Sequence, residues 1–101
     1  MSFLLQATAK IDDLDQLRKA LDWLAEAVGH ADGLVGLRVF QSQEDPAKVT
    51  ILEEWDSPEA FQQSFETYSL EMRAEFLGRI GITSDDFDRA FWLSTDIEVH
   101  P

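Results

Sequence analysis

The sequence predicts an α+β fold whose strands and helices follow the order βαββαβ. Apolar residues alternate with a period of two in FLLQATAKI, residues 3–11, which is typical of a strand. Over residues 14–28 the apolar positions recur every three or four residues, as on one face of a helix. Two further strand patterns, a second helical pattern and a last strand pattern follow. The order of these patterns predicts the fold class.

Both ends of the first helix carry sequence signals. Asp12 and Asp13 stand just before it, where a carboxylate caps free backbone N–H groups and favours the positive end of the helix dipole. Gly29 follows the last apolar position, as a C-cap does. The apolar stripe consists of Leu14, Leu17, Leu21, Leu24 and Val28. We therefore predict a helix that ends at Gly29.

The second and third strands are predicted to form a hairpin. The second begins after a turn at Asp32-Gly33 and runs to about Ser42, and the third is KVTILEEW, residues 48–55. The polar QEDPA between them is short enough for a hairpin turn. Strict alternation puts Val35, Leu37 and Val39 on one face of the second strand, and Leu34, Arg38 and Phe40 on the other. A sheet that is covered on one side only does not need apolar residues on both faces.

The second helix is predicted to begin at Ser57-Pro58, an N-cap followed by proline at the first helical position. Its apolar stripe is Phe61, Phe65, Tyr68 and Met72, and we expect a break near Ser69 before the helix continues to Gly81. ITSDDFD, residues 82–88, is interpreted as an acidic loop. AFWLSTDIEV, residues 90–99, alternates as a final strand.

Right-handed connections turn this order into a ferredoxin-like fold, with a four-stranded antiparallel sheet and both helices on one face. The other face then needs a cover, because the second strand is apolar on both sides. A second copy of the chain is the simplest cover. We therefore predict a homodimer joined sheet to sheet.

Composition restricts the function classes. The 101 residues predict one domain, residues 1–101, and the absence of cysteine excludes disulfides and thiolate chemistry. A net charge of −12 disfavours nucleic acid and anionic membranes as partners, and no apolar run is long enough to span a membrane. We expect a cytoplasmic protein. His30 and His100 are interpreted as surface residues, and two histidines alone do not make a metal site.

The stretch GLVGLRVFQSQEDPAKVTILEEWDSPEAFQQSF, residues 33–65, resembles the antibiotic biosynthesis monooxygenase family. That family has a glycine opening the second strand, an acidic-proline turn, a strand ending in Glu-x-Trp or Glu-Glu-Trp, and then Ser-x-x-Ala-Phe. The matching residues are Glu53, Glu54, Trp55, Ser57, Ala60 and Phe61. The resemblance implies a dimeric α+β barrel with a ligand pocket between sheet and helices in each subunit.

The resemblance implies two kinds of chemistry. Haem-degrading members carry a strand asparagine, a helical tryptophan and a histidine. Here Ser64 and Ala74 stand at the helical positions and the chain has no asparagine, so haem degradation is not expected. Cofactor-independent members oxidise anthrones and quinols, and we expect no cofactor or metal for this chain. Ile51 replaces an asparagine that some of them carry.

Three residues are candidates for catalysis. Trp55 either donates its indole N–H to a substrate oxygen or fills the junction between sheet and helix. Glu53 shares its face and is either a buried base or a paired carboxylate. The Tyr68 hydroxyl orients the substrate, unless the aromatic stripe is only core. The substrate-binding candidates are Arg38, Phe61, Ser64, Phe65 and Trp92. Arg38 either binds an anionic substrate oxygen or pairs with Glu53 or Glu54 on the neighbouring strand.

Two functional hypotheses follow. The first is a cofactor-independent monooxygenase that acts on a small aromatic quinol or anthrone-like compound. The second is a non-catalytic dimeric barrel that binds a small apolar molecule. Trp55→Phe separates them, because turnover that depends on the indole falls while binding survives.

Overall fold

The structure, a computed structural model, describes residues 2–29 and 31–100 and confirms the predicted fold class. His30 lies outside the described residues. The break expected near Ser69 divides the second helical region into two helices, and a short 3₁₀ helix occupies Ser84–Asp86 within the expected acidic loop. The elements are β1 (Phe3–Lys10), α1 (Leu14–Val28), β2 (Leu34–Gln41), β3 (Lys48–Trp55), α2 (Pro58–Thr67), α3 (Leu70–Arg79) and β4 (Asp88–Leu93).

The four strands form one antiparallel sheet in the order β2-β3-β1-β4. In its register Leu5 lies opposite Glu53 on one side and opposite Phe91 on the other. Because opposed residues share a face, these odd-numbered positions define the inner face, which the helices cover. The even-numbered positions of β1, β3 and β4 form the outer face.

The predicted caps of α1 and α2 are confirmed, and α3 has an N-cap that was not predicted from the sequence. The Asp13 carboxylate accepts from the backbone N–H groups of Asp15 and Gln16, and Gly29 ends α1 with φ 72°. Ser57 caps α2, and Ser69 caps α3 by accepting from the Met72 N–H at 3.2 Å. Each such cap contributes about 1 kcal/mol. The Ser69 cap explains the expected break, because it starts a new helix instead of extending α2.

The alternation predicted for β2 is interrupted by a bulge. Leu34 lies opposite Trp55 and Gly36 lies opposite Glu54, so Val35 is one extra residue on this strand. The extra residue returns Leu34 to the inner face together with Leu37. Strict alternation, which places these two leucines on opposite faces, is therefore wrong at the start of the strand.

The last strand is shorter than expected. β4 ends at Leu93, which lies opposite Phe3, the first residue of β1. Beyond that point two hydrogen bonds remain between the strands. The Ser94 N–H donates to the Ser2 carbonyl at 2.9 Å, and the Ser2 N–H donates to Ser94 Oγ at 2.8 Å. Since β4 is an edge strand, the chain after Ser94 has no neighbouring strand to pair with. Ile97 and Val99 are 77% and 85% exposed, so the predicted strand does not extend to Val99.

The core lies between the inner face of the sheet and helices α1 and α3. Its buried residues are Ile11, Leu17, Ala20, Val49, Ile51, Phe76 and Ile80. A separate cluster of aromatic rings lies under α2, where the Phe61 ring centroid is 5.2 Å from Phe3 and 5.8 Å from Trp55. Among the described helices, none is both long and apolar enough to cross a membrane.

Candidate active site between the sheet and the helices

A cavity of about 340 Å³ lies between the inner face of the sheet and the helices. Most of its wall is apolar and comes from β1, β2, β3, α1 and α3. The charged and hydroxyl-bearing side chains in the wall are Glu53, Tyr68, Arg73 and Arg89. Pockets of this kind, apolar with a few polar groups, are where ligands usually bind.

Glu53 and Trp55 form the strand side of the site. They are two residues apart on β3, so both side chains point to the inner face. The Trp55 indole Nε1–H donates a hydrogen bond of 3.0 Å to Glu53 Oε1. Trp55 is 2% exposed and holds this carboxylate oxygen in place. Both residues line the cavity, as the sequence predicts for Glu53 sharing the face of Trp55.

The pKa of Glu53 is raised above its usual value. Burial is the main cause, because removing the carboxylate from water disfavours the ionised form. The hydrogen bond from Trp55 and the positive charge of Arg73 both lower the pKa but do not cancel the effect of burial. A carboxyl group whose pKa is raised in this way binds a proton more readily than an exposed glutamate does, which suits it to proton transfer.

Arg73, on α3, completes the site and was not among the sequence-predicted residues. Its guanidinium carbon lies 3.9 Å from the Phe65 ring centroid and 4.0 Å from that of Tyr68. The Nε–H donates to the Tyr68 carbonyl at 2.9 Å, and an Nη2–H donates to Ser64 Oγ at 2.9 Å. These contacts fix the guanidinium at the cavity wall. An arginine has five N–H donors, so three remain for a ligand.

A signal for Arg73 is present in the sequence but depends on the helix break. If the apolar stripe of α2 continued through the break, Met72 would face the sheet. Because α3 starts anew at Ser69, a different set of side chains faces the sheet. These residues are Arg73, Phe76, Leu77 and Ile80. A charged residue at the first position of an apolar stripe is unusual and marks a functional candidate.

Tyr68 lies at the end of α2, and its side chain lines the same cavity. Its pKa is raised to about 12, chiefly by burial; the charge of Arg73 lowers the pKa and that of Glu53 raises it. The hydroxyl therefore stays protonated at physiological pH and acts as a hydrogen-bond donor. The structure thus brings all three catalytic candidates, Glu53, Trp55 and Tyr68, to one cavity.

Ser64 lies behind the cavity wall and contacts Arg73. It is 6% exposed and donates its hydroxyl to the Phe61 carbonyl while accepting from Arg73. It is not part of the cavity wall. Its contribution is to position Arg73, which differs from the substrate contact expected from the sequence.

Phe61 and Phe65 line a second, larger cavity of about 770 Å³, whose wall also contains Arg73. Their ring centroids are 5.3 Å apart in an edge-to-face arrangement. Phe91 of β4 also belongs to this wall. The two phenylalanines predicted to bind substrate therefore lie next to the first cavity and not inside it.

Arg38 and Trp92 lie on the outer face, away from both cavities. Arg38 is opposite Leu52, and its guanidinium carbon is 5.0 Å from the Phe40 ring centroid. Trp92 is opposite Leu4 and donates its indole N–H to Gln6 Oε1 at 3.2 Å. The strand register separates them from the ligand space, so neither is in position to contact a substrate held in the cavities of the same subunit.

Within residues 2–29 and 31–100, no three side chains of the types that ligate metals come together as a site.

The family model for antibiotic biosynthesis monooxygenases matches residues 3–74 of this chain. The chain belongs to the antibiotic biosynthesis monooxygenase family. The match includes β1 to β3, α2 and the first part of α3, and so contains Glu53, Trp55, Tyr68 and Arg73. A comparison with curated proteins finds no match.

Solved structures of monooxygenases share the fold. A putative antibiotic biosynthesis monooxygenase from Deinococcus radiodurans superposes with a TM-score of 0.71 at 19% identity, covering 98% of this chain and 99% of the other. A monooxygenase of Streptomyces coelicolor in complex with nanaomycin D gives 0.70 at 16% identity, covering 99% and 93%. A cofactor-independent oxygenase from Streptomyces nogalater gives 0.69 at 6% identity, covering 95% and 94%. At these identities the likeness establishes the fold alone.

Proposed function

We propose that this family member is a cofactor-independent monooxygenase that oxidises a small aromatic quinol or anthrone-like compound in the inner cavity. One observation carries the proposal. A carboxyl group with a raised pKa, a protonated phenol and a fixed guanidinium converge on one apolar cavity. A proton acceptor beside two donors for a developing oxyanion is what proton abstraction from a phenol or an anthrone requires.

The reaction begins with proton transfer from the substrate to Glu53. For an anthrone, removal of a proton from the ring CH₂ gives an enolate, whose oxygen is stabilised by Arg73 and the Tyr68 hydroxyl. The enolate gives one electron to O₂, and the resulting radical and superoxide combine to form a C–O bond. Protonation, removal of the second ring proton and loss of water leave a carbonyl. The balance is CH₂ + O₂ → C=O + H₂O, so the substrate supplies all the electrons.

Trp55 acts on this reaction through Glu53. Its indole N–H is already donated to the carboxylate at 3.0 Å, which supports a positioning role in place of the substrate contact expected from the sequence. Ser64 likewise positions Arg73, by accepting a hydrogen bond from its guanidinium. The apolar wall favours an aromatic ligand and keeps water from the carbanion. We further propose a homodimer as the working form.

Oxygen uptake by metal-free protein tests the proposal with a panel of hydroquinones, naphthoquinols and anthrones. We expect Glu53→Gln to lower kcat about 100-fold or more, since a positioned base contributes roughly 10²–10⁴. Glu66→Gln is the matched control, because Glu66 is exposed on α2 and lines neither cavity. Incorporation of one atom of ¹⁸O₂ into the product identifies the reaction as a monooxygenation.

Two results would change the conclusion. Equal turnover in Glu53→Gln and wild type would remove Glu53 from the mechanism. Calorimetric binding of the panel without uptake above the spontaneous rate would favour the second hypothesis, a barrel that binds an apolar ligand without reacting.

A further inference from the structure

The two cavities adjoin each other. Their walls share four residues, Leu5, Leu77, Arg73 and Arg89, so only these side chains need to separate the two spaces. The proposed reaction uses Arg73 and the inner cavity. It gives no role to the second cavity or to Arg89, the other arginine in the cavity walls.

Arg89 stands on the inner face of β4, opposite Ala7 of β1. The small alanine side chain leaves the guanidinium room at the junction. One of its N–H groups donates to the Ser84 carbonyl at 3.1 Å, which leaves four donors. In the described part of the chain, no carboxylate lies within 4 Å of either Arg73 or Arg89.

The charge of the cavities is opposite to that of the molecule. The chain carries 20 acidic and 8 basic residues, with a net charge of −12. The two cavity walls contain two arginines and a single acidic residue, Glu53. Arg89 stays accessible to solvent at the edge of the cavity wall, and within the described residues neither arginine has a carboxylate partner. The cavity walls therefore offer two guanidinium groups to an anion.

We infer that the two cavities form one elongated ligand site, in which Arg89 binds a carboxylate substituent of an aromatic ligand. The inference rests on the proposed ligand site and adds the substrate class. The ring system occupies the inner cavity beside Arg73, and the substituent reaches the junction. A guanidinium matches a carboxylate with two parallel hydrogen bonds, and the rings of the second cavity cover the rest of the ligand.

Calorimetric titration with oxidised quinones tests this without turnover. The probes are anthraquinone-2-carboxylate and 2-(hydroxymethyl)anthraquinone, which differ in charge at one substituent. We expect wild-type protein to bind the carboxylate about tenfold more tightly, because a charge-assisted bidentate pair replaces a neutral contact. In Arg89→Met the ratio of the two affinities should fall to about one. Arg89→Lys, which keeps the charge and loses the paired geometry, should give an intermediate ratio.

Arg79→Met is the control, because Arg79 pairs with Glu75 on the surface of α3 and should leave the ratio unchanged. Circular dichroism confirms that each variant is folded. Equal affinities in the wild type, or a preference that survives Arg89→Met, would overturn the inference. Because the quinones are already oxidised, this result is independent of oxygen uptake, and the proposed reaction stands or falls separately.

Discussion

Trp55 and Glu53 are coupled by a single hydrogen bond of 3.0 Å on the inner face of β3. The bond favours the ionised carboxylate and so lowers the pKa of Glu53 against the larger effect of burial. Trp55→Phe removes the bond and keeps an aromatic ring. We expect the ascending limb of kcat/KM against pH to move to higher pH in this variant. Trp92→Phe, on the outer face, is the control, and a limb that stays in place would contradict the positioning role.

The same carboxyl group affects stability. A raised pKa means that the folded state holds the proton more tightly than the unfolded state does. The stabilisation is therefore complete below the unfolded pKa of 4.5 and is lost as the pH rises through the folded pKa. We expect the stability of Glu53→Gln, which cannot ionise, to rise relative to that of wild type as the pH increases above 4.5. Urea unfolding at a series of pH values measures the gain. Glu66→Gln, an exposed position on α2, should show no such trend.

At the scale of the elements, Gly33 immediately precedes β2 and packs against the start of α2. It adopts φ 85°, and a Cβ at this position would lie 2.6 Å from the Ala60 Cβ. Its carbonyl accepts from the Asp56 N–H at 2.8 Å, which ties the two connections together. We expect Gly33→Ala to destabilise the protein by about 2–4 kcal/mol, through backbone strain and the contact with Ala60. Gly36→Ala is the control, since a Cβ added at Gly36 would meet nothing within 4 Å. Equal urea-unfolding midpoints for the two variants would contradict the argument.

Local signals explain which elements were predictable. The caps at Asp13 and Ser57 act within a few residues, so sequence alone locates them. The bulge at Val35 and the end of β4 depend on strand partners that are distant in sequence. No local pattern contains that information. The same holds for the site. Alternation paired Glu53 with Trp55, whereas Arg73 reaches them only because the break at Ser69 changes the helix phase.

The whole molecule presents an outer sheet face that no helix covers. Phe40 and Trp92 lie on it and are 43% and 55% exposed. Arg38 lies beside Phe40, and Glu54 lies on the same face; within the described chain neither has an ion-pair partner. A second copy placed face to face would bury both aromatic rings and offer each arginine a carboxylate. This surface therefore supports the predicted homodimer more directly than the alternation of β2 did.

Introducing charge on this face tests the dimer. We expect light scattering at micromolar concentration to give twice the mass of one chain for the wild type. Phe40→Glu and Trp92→Glu should give the mass of one chain, because a buried, unpaired carboxylate costs several kcal/mol in an interface. Leu70→Glu is the matched control: Leu70 is 73% exposed on α3, where no interface is expected, and should leave the mass at twice one chain. A wild-type mass of one chain would contradict sheet-to-sheet pairing, and the outer face would then need another cover.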